Sequence, residues 1–298
     1  MGGNVANPYY HRDPYHLERM FPTASVDMIA GDLRTKQLPN LPFTDTADPV
    51  IFEHNDKILL LCATKQKKCY QLDVKGHTWK EHSILNRMRI WTSAIATNTA
   101  TFIFGGNFSP HSFEYLPKGS TTWMIGKSQI PGGFSRGGCA IFDERNNEIL
   151  LIGSGQKILS FSIENHTFDV LPQKLIVGRW GHQAILIPGT NKVLITGGQD
   201  DLDECKDLDS TEILDLKDKS IEMASPMNCK RACHGLGLIN VNDRQRIAAF
   251  GGSNYVDGCL NSVEFYDPII DKWEISSQIK LEEARADFGY ITTKWTNI

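Results

Sequence analysis

The chain has 298 residues, 41% of them apolar, which is enough to bury a sizeable core in one or two domains. Its 31 basic and 35 acidic residues nearly balance, so a general electrostatic attraction to nucleic acid is excluded. No apolar run approaches the ~20 residues of a membrane span and no leader pattern opens the chain, while seven scattered cysteines, an odd number, fit a reduced cytoplasmic protein.

Residues 1–22 are rich in Tyr, His, Pro and Arg without sustained periodicity, which predicts an irregular arm. Residues 25–38, SVDMIAGDLRTKQL, align without gaps on SVEFYDPIIDKWEI at 262–275, and so read as two outer strands of a unit whose inner strands lie elsewhere. Short alternating apolar runs then recur to the end of the chain and predict antiparallel strands in units of four. The predicted units are 43–86, 87–134, 135–177, 178–229 and 230–284, with 285–298 supplying one more inner strand, near 288–293.

Three anchors keep the same order through these units. Glycine pairs fall at Gly105-Gly106, Gly197-Gly198 and Gly251-Gly252, with a degraded Gly153-Ser154-Gly155 between the first two and Cys62-Ala63 in the pair's place in the first unit. An aspartate precedes an apolar residue by six at Asp73 to Trp79, Asp215 to Ile221 and Asp267 to Trp273, with Trp123 and Phe168 in the same role. An arginine opens each new unit at Arg89, Arg136, Arg179, Arg231 and Arg285, and the first four lie 16 to 20 residues before the following glycine pair or its degraded form. A period near 50 residues means stacked or ringed units that bury their faces against one another. Outer strands at the start and an inner strand at the end are what a ring closed by its own termini requires.

The glycine pair after the second strand, the aromatic on the third, the tryptophan on the fourth and the arginine before the next unit together resemble the kelch repeat over nearly the whole chain. The resemblance implies an all-β fold: a six-bladed β-propeller of four-stranded kelch blades, closed by the N- and C-terminal strands. It also implies a non-catalytic module that binds a partner protein through the loops between second and third strands and the loops between blades. Two roles go with it, adaptor for substrate recruitment to a ubiquitin ligase and actin or cytoskeletal scaffold.

Carried onto this chain, those loop positions are Asn107, Phe108, Gln156, Gln199, Asp200, Ser253, Asn254 and Tyr255. The linker arginines Arg87, Arg89, Arg136, Arg179, Arg231 and Arg285 add cations that suit a carboxylate or phosphate. Repetition at one structural position equally predicts that each arginine bonds carbonyls or an acid of a neighbouring blade. Arg87, outside the repeat register, and Tyr255 are the better contact candidates.

Catalytic chemistry finds little footing. Cys139, His182 and His234 each lie three residues after a repeat arginine, but equivalent sites in separate blades stand too far apart for one ion. The loop 199–209 carries six acids against one lysine and reads as solvated, or as a seat for a basic segment; it lacks the glycine and terminal glutamate of a calcium loop. No cofactor and no metal is expected. The alternative is a propeller enzyme with a metal in the channel or acidic loop, resembling copper oxidases or iron-dependent specifier proteins.

Overall fold

A computed structural model describes residues 26–29, 35–38, 49–55, 58–63, 67–73, 76, 78–135, 137–153, 155–201, 205–241 and 244–291. Its ordered segments are strands, and among the described residues no helix is long and apolar enough to cross a membrane. Five antiparallel sheets follow one another along the chain. The first comprises Val50–His54, Ile58–Ala63, Lys68–Asp73 and Thr78–Ile84, and the second Ser93–Ala96, Ala100–Phe104, Phe113–Pro117 and Met124–Ile125. The third has Cys139–Asp143, Glu148–Ile152, Gly155–Ser162 and Thr167–Trp180, joined at its edge by Gln199–Asp200. The fourth has Gln183–Leu186, Lys192–Thr196, Thr211–Asp215 and Ile221–Ala224; the fifth has Gly235–Val241, Arg244–Phe250, Ser262–Asp267 and Lys272–Lys280. In each, consecutive strands pair as a meander, so the loop between second and third strands leaves from the same end as the linker between sheets.

The anchors acquire physical reasons. Asp73, Asp215 and Asp267 each accept a backbone N–H two or three residues on, at 2.8–2.9 Å, and so fold the hairpin between third and fourth strands. Trp79 and Trp273 then lie opposite Leu72 and Tyr266. The first glycine of each pair has φ of +64, +58 or +62°. A Cβ at Gly105 would sit 1.8 Å from the Phe134 carbonyl oxygen, and one at Gly197 2.4 Å from that of Arg231. Glycine is needed because the linker of the next sheet passes directly over the loop.

Four of the hydrophobic clusters lie between neighbouring sheets. Phe52 and Cys69 of the first sheet and Leu85 just after it pack on Ile103 and Leu116 of the second and Trp123 just before its last strand, where Trp123 Nε1 also donates to Ser83 Oγ at 3.0 Å. Second and third meet through Phe102, Phe104, Phe113, Leu151 and Phe161, third and fourth through Leu150, Ile152, Val193 and Ile195, and fourth and fifth through Leu194, Met227, Leu236 and Trp273. The first strands of successive sheets touch from the first sheet to the fifth. The outer face of the fifth sheet is also buried, with Ala248 and Val263 at 0% and Phe265 at 4% exposure.

Residues 284–291 form no strand, contrary to expectation over 288–291; 292–298 lie outside the described residues. This segment nevertheless spans the gap between the ends of the row. Arg285 O accepts Gly252 N of the fifth sheet's loop, and a Cβ on Gly289 would meet Pro49 O and Ile51 of the first sheet. The hairpin Val26–Ile29/Thr35–Leu38 is present as expected, but Asp27 pairs with Gln37, whereas the alignment on Glu264↔Ile275 calls for Leu38. The hairpin's register is shifted by one from that alignment. The arm 1–22 lies outside the described residues.

Tyr290 crosses the middle of the assembly. Its hydroxyl donates to Gln183 Oε1 at 2.6 Å on the first strand of the fourth sheet, and the Leu236 amide of the fifth faces the Tyr290 hydroxyl oxygen. It passes the fifth sheet where that strand reads Gly235-Leu236-Gly237, with its ring against Phe250 at 5.5 Å. Burial, and then nearby Cys139, hold the phenol protonated above its ordinary range. Tyr290→Phe is expected to lower the stability by about 1 kcal/mol, and Tyr290→Ala by about 3–5 kcal/mol. Denaturant unfolding that is unchanged for both would show that the C-terminal segment does not stabilise the packing of the fourth and fifth sheets.

Candidate functional site

The loop end of the sheets is built on a buried network repeated three times among the described residues. Arg89, Arg179 and Arg231 are each 0% exposed. Arg89 Nη1 donates to the carbonyl oxygens of Gly105 at 2.6 Å and Ser112 at 2.9 Å, and its Nη2 to Ser112 Oγ at 3.0 Å and Glu114 Oε1 at 3.1 Å. Arg179 makes the same bonds to Gly197, Ser210 and Glu212, and Arg231 to Gly251, Ser262 and Glu264. Each glutamate then accepts the backbone N–H groups of the residues three and two before its arginine, at 2.7 and 3.0 Å. One arginine thus ties together a glycine loop, a third strand and the linker that delivers it.

The readings of Arg89, Arg179 and Arg231 as partner contacts are therefore corrected: every one of them is sealed inside its own unit. The carboxylates were legible only as Ser-x-Glu at 112–114, 210–212 and 262–264, a spacing the sequence reading passed over.

The third sheet departs from this plan. Gly106 N donates to Phe134 O, just as Gly198 N donates to Arg231 O and Gly252 N to Arg285 O. Phe134, not Arg136, therefore stands at the arginine's place. Lys157 and Leu159 replace the serine and glutamate, since Gly153 N bonds Lys157 O where Gly197 N bonds Ser210 O. Phe134 and Leu159 pack in one cluster, so an apolar pair fills the site of an ion pair. Arg136 itself lies outside the described residues.

One extra linker residue also moves Cys139 out of the histidine position. Cys139 pairs with Ile152 as Gln183 pairs with Thr196, so the equivalent of His182 and His234 is Gly138. A Cβ there would meet the Phe134 ring at 2.7 Å. Cys139 Sγ lies 3.1 Å from His182 O, and burial pushes its pKa up to about 12, away from thiolate chemistry. Among the described residues no group of three or more His, Cys, Asp or Glu is disposed to hold a metal ion.

Other loop positions divide into buried and exposed. Gln199, Asp200 and Asn254 are buried, which corrects their reading as contacts: Gln199 Nε2 donates to Asp207 Oδ1 at 2.6 Å, Asp200 Oδ1 accepts Lys206 N at 3.0 Å, and Asn254 Nδ2 donates to Lys230 O at 3.0 Å. Arg285 is mostly buried, its side chain 14% exposed and paired with Glu283 at 3.5 Å. Arg87, Asn107 and Gln156 are exposed. So are Phe108 at 58%, Tyr255 at 66% and Val256, unremarked in the sequence, at 87%.

No family model matches the chain, and no curated protein matches it. A solved structure described as "Structure of YjhT" is similar over 87% of this chain and 90% of that one, with a TM-score of 0.70 and 14% sequence identity. At that identity the likeness concerns the fold alone.

Two predictions test the buried network. Glu212→Leu alone strands the Arg179 guanidinium and is expected to cost about 3–5 kcal/mol, whereas Arg179→Phe with Glu212→Leu, copying the third sheet, recovers most of that loss. Additive losses in chemical unfolding would contradict the exchange. His182 is held neutral by burial and then by Arg179, its pKa lowered to about 3, and His234 is lowered by burial and Arg231. Unfolded histidines protonate near 6.5, so between there and about pH 3 the unfolded chain binds more protons and stability drops as the pH drops. The melting temperature of His182→Gln/His234→Gln should fall less steeply than that of the wild type from about pH 7 to about pH 4; parallel slopes would count against it.

Proposed function

We propose that the chain is a six-bladed kelch-type propeller acting as a non-catalytic module that binds a partner protein through its loop face. Five sheets in succession, their first strands in contact, and a C-terminal segment lying against both the fifth sheet and the first support a closed ring. The sixth blade would join 25–38 to 285–291. The repeat sets Asp27 at the place of Glu264 and Ser25 at that of Ser262, so the sixth arginine, Arg285, would be locked by Asp27.

One observation carries the functional reading. The loops at this end are fixed by buried arginines and carboxylates, yet two of them hold large apolar side chains, Phe108, Tyr255 and Val256, out in solvent. Rigid exposed aromatics are what protein interfaces use as anchors, because little side-chain freedom is lost on docking. The resemblance adds the expectation of an adaptor or scaffold.

The test is affinity capture from lysate with the wild type, with Arg87→Ala/Phe108→Ala/Tyr255→Ala, and with Ile269→Ser/Ile270→Ser. The isoleucines, 91% and 65% exposed, sit on the hairpin at the other end of the fifth sheet. Partners lost only with the first variant, all three proteins melting alike, are expected. Partners lost with the isoleucine variant alone would put the binding surface on the opposite face.

A further inference from the structure

We infer that the loop carrying Phe108, with the linkers on either side of it, takes a partner segment in which an apolar side chain is flanked by aspartate or glutamate. This rests on the protein-binding reading above and names the chemistry of the partner.

The loop 105–112 is held on both shoulders. Asn107 N donates to Ile90 O at 2.8 Å in the linker before the second sheet, while Pro110 O and His111 O accept Phe134 N at 2.8 Å and Ile130 N at 2.9 Å from the linker after it. Ser109 N donates to Gly106 O at 3.0 Å and Ser112 N to Ser109 O at 3.1 Å, so the loop also closes on itself. Between these bonds Phe108 stands 58% exposed. An aromatic on so fixed a base loses little entropy on docking, which favours affinity.

The charge around it has one sign. From residue 82 to 142 the chain holds a single acid, Glu114, and that one is sealed against Arg89. Exposed cations stand on both linkers, Arg87 on one and Lys127 on the other, and His111 is exposed in the loop itself. Lys157, from the third sheet, reaches the second of these linkers, its Nζ donating to Pro131 O at 2.6 Å and Gly133 O at 3.3 Å. Burial lowers its pKa, with no carboxylate near enough to raise it. Among the described residues Arg87, Lys127 and Lys157 enter no ion pair, whereas Lys68, Lys80 and Lys219 are paired with Glu81, Asp73 and Glu148. The exposed Asp201 bounds the cationic stretch: it lies beyond the third sheet's loop, where a Cβ on Gly178 would meet its carboxylate at 2.2 Å. An apolar tip among unneutralised cations complements an apolar residue bracketed by carboxylates and repels a basic partner. Nucleic acid is a poorer match, because these few cations neutralise few phosphates and the whole chain carries a net charge of −4.

The full-length chain would be panned against a displayed library of short random peptides. Enriched peptides are expected to combine an aromatic or large aliphatic residue with neighbouring Asp or Glu, and to weaken as salt rises. With every variant melting like the wild type, their affinity should fall about tenfold or more for Phe108→Ser, as for an interface hot spot. It should fall severalfold for Arg87→Gln/Lys127→Gln, and stay unchanged for Ile269→Ser/Ile270→Ser at the other end of the fifth sheet. Acidic peptides that bind either the Phe108→Ser or the Arg87→Gln/Lys127→Gln chain as tightly as the wild type would overturn the inference. Selected peptides without acids, or no selected peptides, would overturn it too, as would a single-stranded DNA oligonucleotide that binds through Arg87 and Lys127 more tightly than any peptide. Peptides lost with Tyr255→Ser/Val256→Ser rather than with Phe108→Ser would overturn it while leaving the protein-binding reading intact.

Discussion

A guanidinium shut away from water needs partners for its donors, and three of the five sheets are organised around that need, with only Arg231 Nε unmatched among Arg89, Arg179 and Arg231. Desolvating an arginine and a glutamate costs several kcal/mol per ion, so a buried pair is weak evidence for net stability. Its contribution here is positional. Arg89, Arg179 and Arg231 hold the carbonyls of a glycine loop and a third strand, and the paired glutamate holds two amides of the incoming linker. Any shift of loop against linker would break several charge-assisted bonds together. The third sheet solves the same problem with Phe134 and Leu159, so an apolar contact can fill the position when the linker is one residue longer.

Fixed loop bases leave the tips free to diverge. The glycine pairs, the Ser-x-Glu strands and the arginines are common to several units, while Phe108, the 199–209 acids and Tyr255-Val256 each belong to one loop. Sheet-to-sheet packing joins the units: four clusters are each shared by two neighbouring sheets. The fifth sheet's other face forms a cluster from its own residues, around Val263 and Phe265. Tyr290 adds a polar tie by reaching past the fifth sheet to Gln183 of the fourth.

Much of the fold was legible because its anchors are backbone requirements. Gly105, Gly197 and Gly251 must be glycine under a crossing linker, and Asp73, Asp215 and Asp267 must turn a hairpin. The site was less legible. A repeated arginine has the same spacing whether it faces a partner or a carboxylate, and only burial separates the two. Glu114, Glu212 and Glu264 alternate with apolar neighbours as surface residues do, so nothing local marks them as interior. Arg136 misled because it lies two residues after Phe134, and spacing cannot tell an extra linker position from a repeat anchor. Gln199, Asp200 and Asn254 are buried by one loop folding on another, which no within-repeat pattern records.

If the arginine–acid lock is the constraint on which the proposed ring depends, the proposed sixth unit must contain one drawn from both ends of the chain. The direct measurement is a double-mutant cycle on Asp27→Ala and Arg285→Ala in denaturant unfolding. The account predicts single losses of about 3–5 kcal/mol and a coupling energy of at least about 1 kcal/mol. Additive effects, with no coupling, would mean that these residues do not meet and that the ring closes by other contacts or not at all.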